Sequence, residues 1–79
     1  MSEKHLEPAK SVIAKIGGVE KVSEITDKHV SRVYRWMYPK ERGGTGGMIP
    51  QGDIPALIAY ARANDIQISA DDFFPEVAA

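Results

Sequence analysis

Residues 19–36, VEKVSEITDKHVSRVYRW, constrain the fold of this 79-residue chain more than any other stretch. A first amphipathic segment begins at Val19 and runs into a polar break at Thr26–Asp27. A second segment follows, in which cations and apolar residues are segregated. Two such segments around a short polar break predict two helices joined by a tight turn.

The second segment has two opposite faces when it is drawn as a helix, at about 100° per residue. The apolar face carries Val30, Val33, Tyr34 and Met37. The opposite face carries Lys28, Ser31, Arg32 and Arg35, and one flank carries His29 and Trp36. This is the layout of a helix-turn-helix, which presents its second helix to the major groove of DNA. A helix face that is simply exposed to solvent can carry the same row of cations. The row alone therefore does not distinguish a DNA-binding helix from a solvated one.

Positive charge is concentrated in this part of the chain, although the formal net charge is only −1. Residues 28–42 carry a net charge of +4, whereas residues 1–27 carry −1 and residues 43–79 carry −4. Charges at a surface act over a Debye length of about 8 Å, so a local basic segment can bind phosphates on a weakly acidic protein.

The composition argues against several classes of protein. The chain has no cysteine, no spaced pair of histidines and no apolar run of the ~18–20 residues that span a bilayer. Its first residues lack the apolar stretch of a signal peptide, and the GGTGG loop lacks the Lys-Ser/Thr ending of a nucleotide-binding loop. We therefore expect a cytoplasmic protein that is not an enzyme, with no cofactor, metal, membrane or small-molecule substrate.

Periodicity and helix-stop signals predict an all-α fold of five helices in one domain, residues 1–79, with a core over about residues 8–75 and frayed termini. Pro8 is suited to the first turn of the first helix, Gly17–Gly18 ends that helix, and the second begins at Val19. The third runs from about Lys28 to Met37, because Pro39 prevents it from going further.

The second half of the chain predicts a loop and two more helices. The loop, YPKERGGTGGMIPQG, is rich in glycine, and we expect it to be either flexible or tightly turned. The fourth helix has Asp53 as its N-cap and Asn64 at its C-terminus. Ser69 and Asp72 are spaced as a capping box for a last short helix through Phe73–Phe74, stopped by Pro75.

Over residues 10–74 the chain resembles the Cro/repressor-type, lambda repressor-like helix-turn-helix proteins of phages and prophages. The family's small residue and its turn residue four positions later match Ser23 and Asp27, and its β-branched core residue and bulky apolar residue match Val33 and Trp36. PKERGGTGGMIP and IPALIAYARANDI resemble the small Cro-like group. The resemblance implies a compact five-helix domain that binds double-stranded DNA as a homodimer and regulates transcription.

Two turn residues depart from the family pattern. Asp27 stands where glycine is usual, at a position of positive φ that aspartate tolerates. Lys28 stands where an apolar residue is usual. Either its stem packs while its ammonium group reaches solvent, or the start of the third helix is shifted by one residue, which decides whether Lys28 or His29 points at DNA.

The resemblance implies a DNA-binding surface that combines the third helix with the loop. His29 and Ser31 match positions that reach bases, with Val30 ranked below them, and Arg32 and Arg35 match positions that read a base or hold the backbone. The expected DNA-binding residues are Lys21, Lys28, His29, Ser31, Arg32, Arg35, Lys40, Arg42 and Thr45. The backbone amides of residues 43–47 are expected to add phosphate contacts.

Other features have a structural interpretation or point elsewhere. Trp36 and Tyr34 are expected to pack in the core. Partly exposed Ile66, Ile68, Phe73 or Phe74 would form the dimer interface. The alternative to DNA binding is a protein-interaction or antitoxin-like module that works through its acidic C-terminal half.

Overall fold

All the regular structure described is helical, which confirms the predicted all-α class. The computed structural model describes residues 5–74. The α-helices are α1 (Ala9–Ile16), α2 (Val19–Thr26), α3 (Val30–Arg35) and α4 (Ile54–Ala63), and the 3₁₀ turns are Lys40–Arg42, Gln51–Asp53 and Ala70–Phe73. The predicted fifth helix is therefore a 3₁₀ turn in the described range. The frayed termini and the stop at Pro75 lie outside the described residues.

Helix α1 ends where predicted, whereas Pro8, expected in its first turn, is the N-cap residue just before it. The N–H groups of Gly17 and Gly18 both donate to the carbonyl of Ile13, at 3.2 and 2.9 Å, and Gly17 has a φ of 129°. At the other end, the Ser11 N–H donates to Glu7 Oε1 at 2.9 Å. A hydrogen bond from the Ser11 side chain is the largest cause of a lowered pKa of Glu7; burial opposes it, and the Ser11 backbone and Lys10 add to the lowering.

The turn after α2 is built by Asp27 in the left-handed conformation, with φ 58° and ψ 34°. This is the positive φ predicted for the turn residue. The N–H of Asp27 donates to the Ser23 carbonyl, and the hydroxyl of Ser23 donates to the carbonyl of Lys28. Ser23 therefore links the last turn of α2 to the segment that leads into α3.

Helix α3 is shorter than predicted at both ends. It begins at Val30, because Lys28 is not helical and His29 is an extended N-cap, so the predicted start at Lys28 is wrong. After Arg35 the N–H groups of Trp36, Met37 and Tyr38 donate three residues back rather than four. The chain thus tightens into 3₁₀ geometry before Pro39, which the predicted end at Met37 did not anticipate.

Asp53 is the N-cap residue of α4, as predicted, but its side chain makes no hydrogen bond to the first turn of that helix. Its carboxylate instead accepts two hydrogen bonds from the Lys28 ammonium group, with Nζ–O distances of 3.2 and 3.0 Å. At the other end of α4 the Asn64 amide donates to the Tyr60 carbonyl at 2.9 Å, as expected of a C-terminal cap. The Asp72 carboxylate likewise accepts from the Ser69 N–H, at 2.9 Å, as the predicted capping box requires.

The glycine-rich loop is tightly turned and hydrogen-bonded. A Cβ atom on Gly44 would lie 2.1 Å from the Tyr38 carbonyl oxygen and 2.5 Å from that of Arg35. The N–H groups of Thr45 and Gly46 donate to those same two carbonyls, at 3.0 and 2.9 Å. Of the two expectations for the loop, the tightly turned connection is the one found.

The core lies where the four α-helices meet. Helix α2 contacts α1, α3 and α4, and the Ala70–Phe73 turn closes over α1 and α4. The buried apolar residues are Ala9, Val12, Ile13, Ile16, Val22, Val33, Trp36, Met37, Ile49, Leu57, Ala61 and Phe73. The prediction that Trp36 packs in the core is confirmed.

Two aromatic residues are placed differently from expectation. Phe73 is fully buried, so it cannot belong to the exposed set expected at a dimer interface, whereas Phe74 is 52% exposed. Tyr34 was expected to pack but is 41% exposed, because it lies at the edge of the apolar face of α3 rather than at its centre. In the described range, every helix is too short or too polar to cross a bilayer.

Candidate nucleic-acid interface

The outer face of α3 carries three exposed polar side chains. Ser31, Arg32 and Arg35 are exposed, whereas Val33 on the inner face is fully buried. Within residues 5–74, neither Arg32 nor Arg35 forms an ion pair with a carboxylate. Arg32 and Arg35 lie three residues apart on the helix, and their like charges repel each other. Because no described carboxylate contacts them, this face has a positive potential.

The two arginines share a depression with the glycine-rich loop. The depression has a volume of about 340 Å³ and is lined by Arg32, Arg35, Trp36, Gly43, Thr45 and Pro50. The hydrogen bond from the Thr45 N–H to the Arg35 carbonyl holds the loop against the end of α3. Helix and loop therefore form one continuous surface.

The loop adds cations beside this depression. Lys40 and Arg42 are exposed and lie on the 3₁₀ turn Lys40–Arg42, together with exposed Glu41. The aliphatic stem of exposed Lys40 lies alongside Gly46, so the loop supports this side chain.

The first turn of α3 is capped by a side chain predicted to reach DNA. The Nδ1 atom of His29 accepts a hydrogen bond from the Ser31 N–H at 3.1 Å and lies 2.9 Å from the Ser31 hydroxyl oxygen. Both side chains are exposed. The same two residues that were expected to contact bases thus also set the start of the helix.

Lys21 lies in the first turn of α2 and contacts Glu24 and Tyr60. Its Nζ lies 3.4 Å from Glu24 Oε1 and 6.0 Å from the centre of the Tyr60 ring. Its side chain is 41% exposed, so the ammonium group remains accessible. An exposed ion pair of this kind is weak and can be exchanged for a phosphate contact.

Lys28 and Thr45 are engaged inside the protein. The Lys28 ammonium group points to Asp53 rather than outward. The Thr45 hydroxyl has one proton, which it shares between the carbonyl oxygens of Trp36 and Met48. Of the two alternatives for Lys28, a later start of the third helix is the one found, since α3 begins at Val30. Lys28 and Thr45 are therefore not part of the candidate interface.

The loop amides are also committed, contrary to the expectation that they would face phosphates. The N–H groups of residues 43–46 donate to the carbonyls of Lys40, Pro39, Arg35 and Tyr38. The expectation treated the loop as a cradle, whereas its amides hold the loop in shape.

An aromatic group on the flank of α3 was missed from the sequence. The His5 ring lies 6.4 Å from the Tyr34 ring and 6.2 Å from the Tyr38 ring, measured between centroids. No local pattern signals this group, since His5 is far from the tyrosines in the chain. Through Tyr34, which is 41% exposed, this group adds aromatic surface to α3.

Residues 5–74 contain no group of His, Asp and Glu side chains arranged to hold a metal ion. The candidate interface consists of the exposed polar and charged residues described above, with Lys21 at its edge: His29, Ser31, Arg32, Arg35, Lys40 and Arg42. Comparison with models of protein families, with curated proteins and with solved structures found no match to this chain.

Proposed function

We propose that this protein is a sequence-specific DNA-binding regulator of transcription, of the Cro/repressor type. In this proposal α2 and α3 are its helix-turn-helix, and α3 enters the major groove. One observation carries the proposal. Ser31, Arg32 and Arg35 are exposed together on the side of α3 opposite to buried Val33, and they adjoin the basic loop. Arginine can bond a guanine edge in bidentate fashion, and serine can bond a base or a phosphate.

The connection between the two helices supports this assignment. Asp27 turns the chain in the left-handed conformation, and Ser23 bonds across the turn to Lys28. Such bonding fixes the direction in which α3 leaves α2. A helix that reads a groove needs a fixed direction, because a small misplacement removes several base contacts together.

The loop is proposed to hold the DNA backbone while α3 reads bases. Lys40 and Arg42 are exposed cations on a loop that packs against the C-terminal end of α3. Contacts of this kind supply affinity and register without sequence information. In a major-groove complex the loop would lie over a phosphate strand at the edge of the groove.

We further propose that the protein acts as a homodimer in the cytoplasm. One small module contacts few base pairs, and two-fold pairing doubles the readout. Phe74 is 52% exposed, and Ile66 and Ile68 are partly exposed near it in sequence, so apolar surface is available for a second copy.

The alternative, a module that works through its acidic C-terminal half, has less support. Two of the aspartates of that half have partners in the fold: Asp53 pairs with Lys28, and Asp72 bonds to the Ser69 backbone. Their charge is explained by stability. Co-purification of a basic protein partner, without salt-sensitive DNA binding, would favour this alternative.

The experiment that tests the proposal is selection of bound sequences from random duplex DNA, followed by titration of the selected site. We expect a symmetric site, and we expect Arg32→Ala and Arg35→Ala each to lower affinity about tenfold or more. Arg62→Ala is the matched control, since it removes an exposed arginine of α4 that lines a different depression, with Asp65 and Asp72. Equal binding by all four proteins, or no selected sequence, would exclude the proposal.

A further inference from the structure

The cap of α3 determines which atom of His29 carries a proton. A backbone N–H can only donate, so Nδ1 of His29 must accept the hydrogen bond from Ser31 and carries no proton. A neutral imidazole then has its proton on Nε2. The Nε2 atom is on the far side of the ring from Nδ1, and the residue is exposed.

The Ser31 hydroxyl is oriented by the same contact. Its oxygen lies 2.9 Å from Nδ1, and because Nδ1 has no proton, the hydroxyl can only be the donor of this pair. The proton of Ser31 therefore points back to His29, and its lone pairs remain for groups outside. The two neighbouring side chains have opposite roles, with His29 as outward donor and Ser31 as outward acceptor.

We infer that His29 is a specificity-determining residue, which donates from Nε2 to a hydrogen-bond acceptor on a base edge. The inference rests on the proposed function. Guanine presents two acceptors, O6 and N7, in the major groove, whereas cytosine presents the N4 amino donor there. Adenine N7 and thymine O4 are also acceptors, so a donor fixed at the head of α3 favours guanine, adenine or thymine over cytosine at the position it faces.

The cap makes this preference stronger than that of a free histidine. A free neutral imidazole can exchange tautomers and present either a donor or an acceptor. Here the exchange would place a proton on Nδ1, against the Ser31 N–H, and would break the cap. The backbone of α3 thus excludes the acceptor form, which is the form that would bind cytosine or the adenine amino group.

Two substitutions separate the cap from the contact. His29→Ser keeps a good N-cap and removes the outward donor, whereas His29→Ala removes both. We expect His29→Ser to melt close to the wild type and His29→Ala to melt lower. We expect both to lose the base preference at one position of each half-site, with affinity for the selected site reduced about tenfold.

The tautomer can be observed without DNA. Long-range ¹H–¹⁵N correlation spectra of the ring in the full chain, at a pH where histidine is neutral, should show a protonated Nε2 and an unprotonated Nδ1. A protonated Nδ1 would overturn the inference, as would a His29→Ser variant that keeps the wild-type base preference while the wild type selects a defined site. If the wild type selects no sequence, the proposed function fails and the inference fails with it.

Discussion

The Lys28 ammonium group lies 3.0 Å from Asp53 Oδ2, which joins the turn before α3 to the 3₁₀ turn that begins α4. The Asp53 side chain is 11% exposed and that of Lys28 is 36% exposed. Asp53 is the buried charged residue of the described range, and Lys28 is what compensates its charge. Lys28 therefore has a structural role.

Lys28→Met should destabilise the protein by about 1–3 kcal/mol, because it leaves a mostly buried carboxylate without its partner. Asp53→Asn should cost less, since Lys28 is exposed enough to turn to solvent. The double variant should be more stable than the sum of the two losses predicts. Urea unfolding of the four proteins measures this coupling, with Lys15→Met on α1 as a control for removal of an exposed lysine. Strict additivity would show that the pair contributes nothing.

Gly44→Ala should destabilise the protein by about 2–3 kcal/mol, because the new methyl group would overlap the Tyr38 and Arg35 carbonyl oxygens. Gly52 is the matched control, since a Cβ atom there meets nothing within 4 Å. Gly52→Ala should leave stability unchanged or raise it by up to about 1 kcal/mol. Equal melting temperatures for the two variants would contradict the packing of the loop against α3.

The sequence predicted the parts of the fold that depend on neighbouring residues. Gly17–Gly18 ends α1, Asp27 takes a positive φ, and Ser69 and Asp72 are linked as the capping pattern requires. Each of these outcomes depends on the conformational preferences of one or two residues, which a local pattern records.

The parts that the sequence did not predict depend on contacts between distant residues. Asp53 reads as an N-cap, and only the fold brings Lys28 within reach of it, 25 positions away. Phe73 reads as partly exposed until the last 3₁₀ turn is packed against α1 and α4. For the same reason the pattern placed Lys28 and Thr45 among the DNA contacts, whereas the exposure of Arg32 and Arg35 followed from helical periodicity alone.

Ser23→Ala should cost about 1 kcal/mol, since it removes the hydrogen bond from the Ser23 hydroxyl to the Lys28 carbonyl. Thr26→Ala serves for comparison. Its hydroxyl bonds within α2, to the Val22 carbonyl at 2.8 Å, so its loss should change stability by less than about 0.5 kcal/mol. Thermal unfolding followed by circular dichroism measures both. A larger loss of stability in Thr26→Ala than in Ser23→Ala would contradict the expectation that the Ser23 hydrogen bond stabilises the turn.

Glu7→Gln should lower stability at neutral pH and have a smaller effect in acid. The pKa of Glu7 is held below its ordinary value of 4.5, first by the Ser11 hydrogen bond, so the folded state favours the ionised carboxylate. The stabilisation is complete above the unfolded pKa and is lost as the pH falls through the folded one. The difference in urea midpoint between wild type and Glu7→Gln should therefore shrink as the pH falls below 4.5. Ser11→Ala should reduce this pH dependence. If the difference in urea midpoint between wild type and Glu7→Gln stays constant with pH, ionised Glu7 does not stabilise the fold.

Lys40→Met and Lys28→Met make a matched pair for DNA binding, because each removes one lysine charge from the same basic segment. Lys40 is exposed on the loop, so its loss should reduce the log–log slope of affinity against salt by about one. Lys28 is already paired with Asp53, so its loss should leave the slope nearly unchanged. Fluorescence anisotropy with the selected duplex, at a temperature where both variants are folded, gives the two slopes. If the slope falls equally in both variants, Lys28 exchanges Asp53 for a phosphate when DNA binds, and the division of roles between these two lysines is wrong.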